Sequence, residues 1–145
     1  MSENAILPLM VKDHCKIEKL LDQLEESTKK DQSTMIKLFN KFEWELEKHI
    51  FVEEKAIFTS YNPKDISEGY KMLPELTKQH NYIVNQLNIW RKDVRNKRKI
   101  NNFYEFKKFL IKHKDFEEKE VYPNLDQSLN EEQKKHIIDR INEFV

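Results

Sequence analysis

Only one glycine and four prolines occur in 145 residues, too little turn chemistry for a many-stranded sheet. With Gly69 as the sole glycine, a glycine-rich phosphate loop is excluded as well. The lone cysteine, Cys15, rules out an intrachain disulfide and fits a reducing compartment. Net charge is also lacking. The 26 basic residues balance 26 acidic ones, leaving no overall footprint for nucleic acid or for an anionic membrane. No apolar run approaches the length of a bilayer span. The start, Met1-Ser2-Glu3-Asn4, lacks the basic region and apolar stretch of a signal peptide. The expectation is a soluble cytoplasmic protein, one domain over 1–145, able to bury a core without covalent staples.

What the chain has is charge, 36% of its residues, arranged as the solvated faces of long helices. Leu7, Met10, Val11, His14, Ile17, Leu21 and Leu24 recur at three- and four-residue steps, with Pro8 tolerated in the first turn. After a polar connection within 25–33, Ile36, Phe39, Phe42, Leu46, His49, Glu53 and Ile57 mark a second helix. It is expected to stop near Thr59, before Ser60-Tyr61-Asn62-Pro63. Residues 64–73, with Gly69 and the approach to Pro74, read as a partly helical crossing between two hairpins. A third helix carries Leu76, His80, Ile83, Leu87, Trp90 and Val94, and its basic end, 91–99, suits the negative pole of the helix dipole. Asn102 followed by Glu105 resembles the start of a fourth helix, with Phe106, Leu110, His113 and Glu117, ending before Pro123. Ser128 and Glu131 have capping-box spacing for a short last helix bearing Ile137, Ile138, Ile141 and Phe144. The predicted fold is all-α, an antiparallel up-down four-helix bundle with a short additional C-terminal helix.

The two halves repeat. His14 is followed after 35 residues by His49 and then Glu53; His80 is followed after 33 by His113 and then Glu117. Phe42, Leu46, Lys48, Glu54, Lys55 and Phe58 correspond to Phe106, Leu110, Lys112, Glu118, Lys119 and Tyr122. At about 100° per residue, His49 and Glu53 lie roughly 40° apart and one turn along, so both face the bundle axis. Glu54 sits about 140° from His49 and cannot share that face, and the same geometry selects Glu117 over Glu118. His14 and His80 fall on the apolar stripes of their own helices.

Burying four imidazoles and two carboxylates without a cation costs several kcal/mol for each unpaired charge. Six such ligands exceed one tetrahedral zinc. Mixed nitrogen and carboxylate ligation with open positions suits iron best, with manganese or zinc as other occupants. The natural arrangement is two ions about 3.5–4 Å apart. Glu53 and Glu117 would bridge them, with His14 and His49 on one ion and His80 and His113 on the other.

Other residues read as structural. His14 and Glu18 share the His-x3-Glu spacing by accident, since Val84 occupies the matching place in the second half. His136 has no counterpart and is expected at the surface. Cys15 is expected as a small buried thiol. Trp44, Phe51 and Phe58 form a second stripe, to be covered by the last helix or the N-terminal segment; a homodimer interface is the alternative. The 91–99 cluster reads as a solvated helix end.

This pattern resembles the hemerythrin-like family, the HHE cation-binding domain, from His14 to about Leu125. The resemblance lies in the paired His-x3-Glu-Glu blocks, His49 to Glu54 and His113 to Glu118, the second followed by Val121-Tyr122-Pro123. It implies a left-turning helical bundle around a non-haem di-iron centre (Fe2+/Fe3+), bridged by the two carboxylates and an oxo or hydroxo species. It also implies O2, peroxide or NO as ligand. Ferritin-like Glu-x-x-His motifs are absent, since Val11, Leu46, Thr77 and Leu110 stand three before the histidines. The oxygen-carrying hemerythrins have a His-x3-His on the third helix and a His-x4-Asp on the fourth. Here Leu76 and the His113–Glu117 spacing replace them, which leaves more positions for exogenous ligand. With no recognisable nucleophile–base motif, the chain reads as a metal- and oxygen-binding protein more than a dedicated enzyme. The alternative is a metal-dependent iron- or oxygen-sensing module acting on a separate, unidentified protein partner.

Overall fold

The computed structural model describes residues 6–57 and 66–143. Among them the chain is helical apart from short connections and contains no strand. Helix α1 spans Ile6–Ser27, α2 Gln32–Val52, α3 Ile66–Arg95, α4 Phe103–Phe116, α5 Tyr122–Ser128 and α6 Glu131–Glu143. Two π-helical turns complete the set: π1, Glu53–Ile57, continues α2, and π2, Glu117–Val121, joins α4 to α5.

The apolar stripes bury as two separate clusters. One gathers Ile17, Leu21, Leu24, Phe39, Phe42, Leu46, Ile83, Leu87, Trp90, Phe106 and Leu110. Trp90 is its largest member; its ring meets Phe106 edge-on at 4.8 Å, and its indole N–H donates to the Asn101 carbonyl at 2.9 Å. That bond satisfies the polar end of a fully buried ring. The second cluster joins Ile6, Met10, Val52, Ala56, Ile57, Leu76, Val121, Tyr122, Leu125 and Ile137. Each stripe changes cluster close to its histidine: Met10 and Ile17 flank His14, Leu46 and Val52 flank His49 (with Ile50 still in the first cluster), Leu76 and Ile83 flank His80, and Leu110 and Val121 flank His113 and Glu117. The core is therefore two apolar slabs with a polar layer between them.

Local chemistry explains the helix ends. The first amides of α1, Ile6 and Leu7, donate to the Asp126 carboxylate of α5 at 2.8 and 3.1 Å. A residue 120 positions away thus satisfies donors that a local cap would otherwise take. Helix α6 has a reciprocal capping box: the Asn130 amide donates to Gln133 Oε1 at 2.9 Å, and the Gln133 amide to Asn130 Oδ1 at 2.8 Å.

Several sequence expectations are corrected. The capping box belongs to Asn130 and Gln133; Ser128 ends α5 and Glu131 begins α6. Asn102 does precede α4, but in a left-handed conformation (φ 71°), and its side chain donates to Gln86 instead of capping. Helix α3 begins at Ile66, ten residues before Leu76, with Pro74 inside it. Pro74 forfeits one backbone bond, at a cost of about 3 kcal/mol. Burial of Met72 and Leu76 on the same segment offsets that loss. The fourth helical segment likewise runs on through Pro123, which lies in the first turn of α5, where a missing N–H is tolerated. The second segment changes to π geometry at Glu53 instead of staying α-helical to Thr59, which lies outside the described residues together with 60–63. Trp44 and Phe51 are 65% and 46% exposed, so no helix covers that stripe as expected; Phe58 and Phe144 lie outside the described residues.

Candidate metal centre

The polar layer brings together all six residues singled out by the repeat. His14, His49, Glu53, His80, His113 and Glu117 are each at most 5% exposed. Glu53 Oε1 lies 2.8 Å from His49 Nε2 and 3.5 Å from His80 Nε2. Glu117 Oε1 lies 3.0 Å from His14 Nε2, 3.1 Å from His113 Nε2 and 3.8 Å from His49 Nε2. Each carboxylate therefore touches imidazoles from both halves of the chain. Two groupings have ligand atoms close enough to share an ion: Glu53, His80, His113 and Glu117, and His14, His49 and Glu117.

Each His-x3-Glu pair straddles the junction where α geometry gives way to a π turn. The Glu53 amide reaches both the His49 and Ile50 carbonyls, and the Glu117 amide both the His113 and Lys114 carbonyls. A π turn inserts an extra residue and rotates everything after it, and such turns recur at functional sites. Here it keeps the glutamate on the histidine face while still delivering Ala56 and Ile57, or Val121 and Tyr122, into the second apolar slab. The same device appears at matching places in both halves.

A further ring of side chains, which the sequence reading did not assign, holds the imidazoles. His14 Nδ1 lies 2.7 Å from Glu118 Oε2, His49 Nδ1 2.5 Å from Asp13 Oδ2, His80 Nδ1 3.1 Å from Glu54 Oε1, and His113 Nδ1 2.6 Å from Gln79 Oε1. When each Nδ1–H donates to its oxygen acceptor, each Nε2 lone pair is left facing the layer. Glu54 and Glu118 are thus off the face of their own helix's histidine, as the 140° argument requires, yet each reaches a histidine on another helix. The Tyr122 hydroxyl donates to Glu53 Oε2 at 2.9 Å, orienting that carboxylate. The signals available in sequence were the doubled Glu in each block and the polar residue before each of the first histidines, Asp13 and Gln79. Glu18 pairs with Lys114 at 2.7 Å, away from His14, and His136 is exposed. Cys15 is exposed as well, contrary to the expected buried thiol, because its place on α1 turns away from both apolar slabs.

Electrostatics within the layer is divided. Burial opposes charge on His49, but the Glu53 carboxylate and the Asp13 hydrogen bond overcome it and raise its pKa to about 10. Burial also opposes charge on His80, and contacts with Glu53 and Glu54 raise it. Burial dominates at His113, which falls to about 3 against the pull of Glu53, and at His14, which is lowered further by charge on His49. Glu53 is held well below the usual carboxylate range, because charge on His49 outweighs its burial. The layer thus stabilises itself with protons in places where a divalent cation would supply positive charge.

The donor set fits metal. Glu117 Oε2 and His113 Nε2 are buried with no aligned hydrogen-bond partner among the described residues, although nitrogen or oxygen atoms stand close by. Buried orphans of this kind each cost about 1–3 kcal/mol, and a shared cation removes the cost. A pocket of about 20 Å³ opens beside His14, His49 and His113 against Ile17, Leu46 and Leu110. That is room for one water-sized molecule. On the outer side, Asp13 and His49 border a larger cavity, about 650 Å³, with Met10, Val52, Lys12 and Lys48.

Fold and site together define an all-helical bundle whose interior carries a buried histidine–glutamate cluster suited to metal cations. The chain belongs to the hemerythrin family: the Hemerythrin HHE cation binding domain is matched over residues 5–125. Metal-cation binding comes with that membership. No curated protein and no solved structure matches the chain. Among the described residues no helix is long and apolar enough to cross a membrane.

Proposed function

We propose that this chain is a cytoplasmic non-haem di-iron protein whose centre binds or reacts with O2, peroxide or NO. His14 and His49 would hold one ion and His80 and His113 the other, with Glu53 and Glu117 as carboxylate ligands shared between them and manganese or zinc as competing occupants. The observation that carries the reading is the buried convergence of these six groups, each carboxylate in contact with imidazoles from both halves. The proposed frame is an antiparallel up-down arrangement of the four histidine-bearing helices, with α6 as the additional short helix, in one domain over 1–145.

When bound, the iron pair supplies two electrons to a small ligand. The residues supply the rest. Asp13, Gln79, Glu54 and Glu118 fix the imidazole rings, so that little reorganisation accompanies ligand binding. The Tyr122 hydroxyl holds Glu53 Oε2 and leaves Oε1 turned toward the histidines. Ile17, Leu46 and Leu110 line the small pocket together with His14, His49 and His113, leaving room beside the imidazoles for a molecule of diatomic size. Leu76, fully buried in the second slab, stands where the oxygen-carrying hemerythrins have a further histidine, so this side chain would add no ligand.

Reconstitution with ferrous iron without oxygen, followed by metal analysis and Mössbauer spectroscopy before and after oxygen, tests this reading. Two irons per chain that become a spin-coupled ferric pair are expected; fewer than one iron per chain contradicts the proposal. The second reading, a metal-dependent regulatory module, draws support from the large apolar side chains left at the surface, Trp44, Ile89, Tyr104 and Ile111. It requires a change in melting or protease sensitivity between metal-free and loaded forms, and an unchanged fold removes it.

A further inference from the structure

The ring of acceptors behind the histidines repeats with the chain, except at one place. In each half the residue before the first histidine reaches the second histidine of the same half: Asp13 to His49, Gln79 to His113. In each half the second glutamate of the block reaches the first histidine of the other half: Glu118 to His14, Glu54 to His80. Three of the four acceptors are carboxylates. The fourth, Gln79, is a neutral amide.

This difference reaches the metal-facing nitrogen. An imidazole whose Nδ1–H donates to a carboxylate is a stronger donor at Nε2, because the carboxylate stabilises the positive charge the ring acquires on ligation. An amide oxygen provides only a dipole. The two remaining acceptors tilt the balance the same way. Glu118 lies 2.7 Å from His14 with its side chain 23% exposed, whereas Glu54 lies 3.1 Å from His80 and is 46% exposed, so water screens it more. His14 and His49 are thus both backed by close, drier carboxylates. Among the described residues, the carboxylate behind His80 is the longer-range and more solvated Glu54, and none stands behind His113.

Resting on the two-ion reading above, we propose that the two metal positions are inequivalent. At alkaline pH the His14–His49 position takes up the first ion and releases it last, and Asp13 is the positioning residue that sets this order. Ligand number does not reverse the argument. Glu53 falls in the four-member grouping with His80 and His113, yet its Oε1 is nearer to His49 (2.8 Å) than to His80 (3.5 Å). Each carboxylate contacts imidazoles of both positions, so the acceptors behind the rings decide.

The test titrates metal-free protein with Zn2+, a redox-silent probe, against a chromophoric chelator over a pH series, so that the two steps are compared at the alkaline limit where ring protons no longer compete. Histidine 15N resonances are followed in parallel. Two steps separated by at least about tenfold in affinity are expected, the His14 and His49 signals moving in the first. Asp13→Asn should weaken that first step by about 10–100-fold, the usual effect of losing such an acceptor. Gln79→Glu should tighten the second step, and the combined Asp13→Asn/Gln79→Glu exchange should reverse the order of filling. All these changes are near-isosteric, and circular dichroism checks the fold of each variant. If all four imidazoles move together in a single step, or if the double exchange leaves the order unchanged, the inference is overturned. Two ions bound without order count against this inference alone, whereas uptake of only one ion by the unaltered protein defeats the two-ion centre as well.

Discussion

Metal uptake should release protons in a number set by the divided electrostatics of the polar layer. At pH 7 the His49 ring, held up to about 10 by Glu53 and Asp13, carries a proton that a cation must displace from Nε2. His80, also raised, is a second source. His113, lowered to about 3, and His14, lowered by burial, are already neutral and have none to give. Full loading should therefore release between one and two protons per chain, not the four that a set of protonated imidazoles would. The proton on His49 lies three pH units above neutrality, a displacement cost of about 4 kcal/mol at ~1.4 kcal/mol per unit. Apparent affinity at pH 7 is then about 10³-fold below its alkaline limit, recovering roughly tenfold per pH unit. Calorimetry of Zn2+ binding in buffers of different ionisation heat gives the proton count, and chelator competition from pH 6 to 8 gives the slope. Binding heats independent of buffer, or an affinity flat over that range, would show that His49 is not the proton-bearing ligand.

Other consequences are equally open to measurement. Glu117→Ala removes the oxygen that contacts three of the histidines, and should lower bound metal from two ions to one or none, with loss of spin coupling, read by metal analysis and Mössbauer spectra. Tyr122→Phe leaves Glu53 Oε2 without its buried donor; at about 1–3 kcal/mol it should lower the metal-free melting temperature by several degrees. Asn130→Ala breaks the capping box of α6 and should cost about 1 kcal/mol with no change in metal content. The metal-free chain should be most stable near pH 6.5. His113 stays neutral when folded but takes a proton when unfolded, so its contribution is complete above 6.5 and is lost as pH falls toward about 3. His49 runs the other way: its contribution is complete below 6.5 and is lost as pH rises toward about 10. Melting curves at pH 5, 6.5 and 8.5 in chelator should bracket this maximum, and a profile rising or falling steadily across the range contradicts it.

Much of this was legible in the residues themselves, because helical periodicity is a local property and the repeat doubles its signal. The stripes through His14, His49, His80 and His113 placed all four rings inside, and the 40° separation of His49 and Glu53 put that carboxylate with them. Contacts between helices were not legible. Nothing local indicates that Glu118 faces His14, 104 residues away, or that Asp126 caps α1. Their angle about the helix axis keeps Glu54 and Glu118 off their own helix's histidine face, but does not fix what the adjacent face meets. Pro74 and Pro123 read as boundaries because their local penalty is visible in sequence, while the burial that outweighs it is a tertiary quantity. The π turns escaped for a similar reason: the apolar spacing around them fits a 3.6-residue period to within one residue.

Because Glu118 reaches back to His14 and Glu54 reaches forward to His80, neither hairpin can finish its own half of the centre. A fragment comprising α1, α2 and π1 keeps the Asp13–His49 bond but leaves His14 without a ring-orienting acceptor. Two copies of that fragment, packed about a twofold axis, would offer each other Glu54 at the place Glu118 now fills. The crossed bonds are the geometry of a symmetric pair retained within one continuous polypeptide.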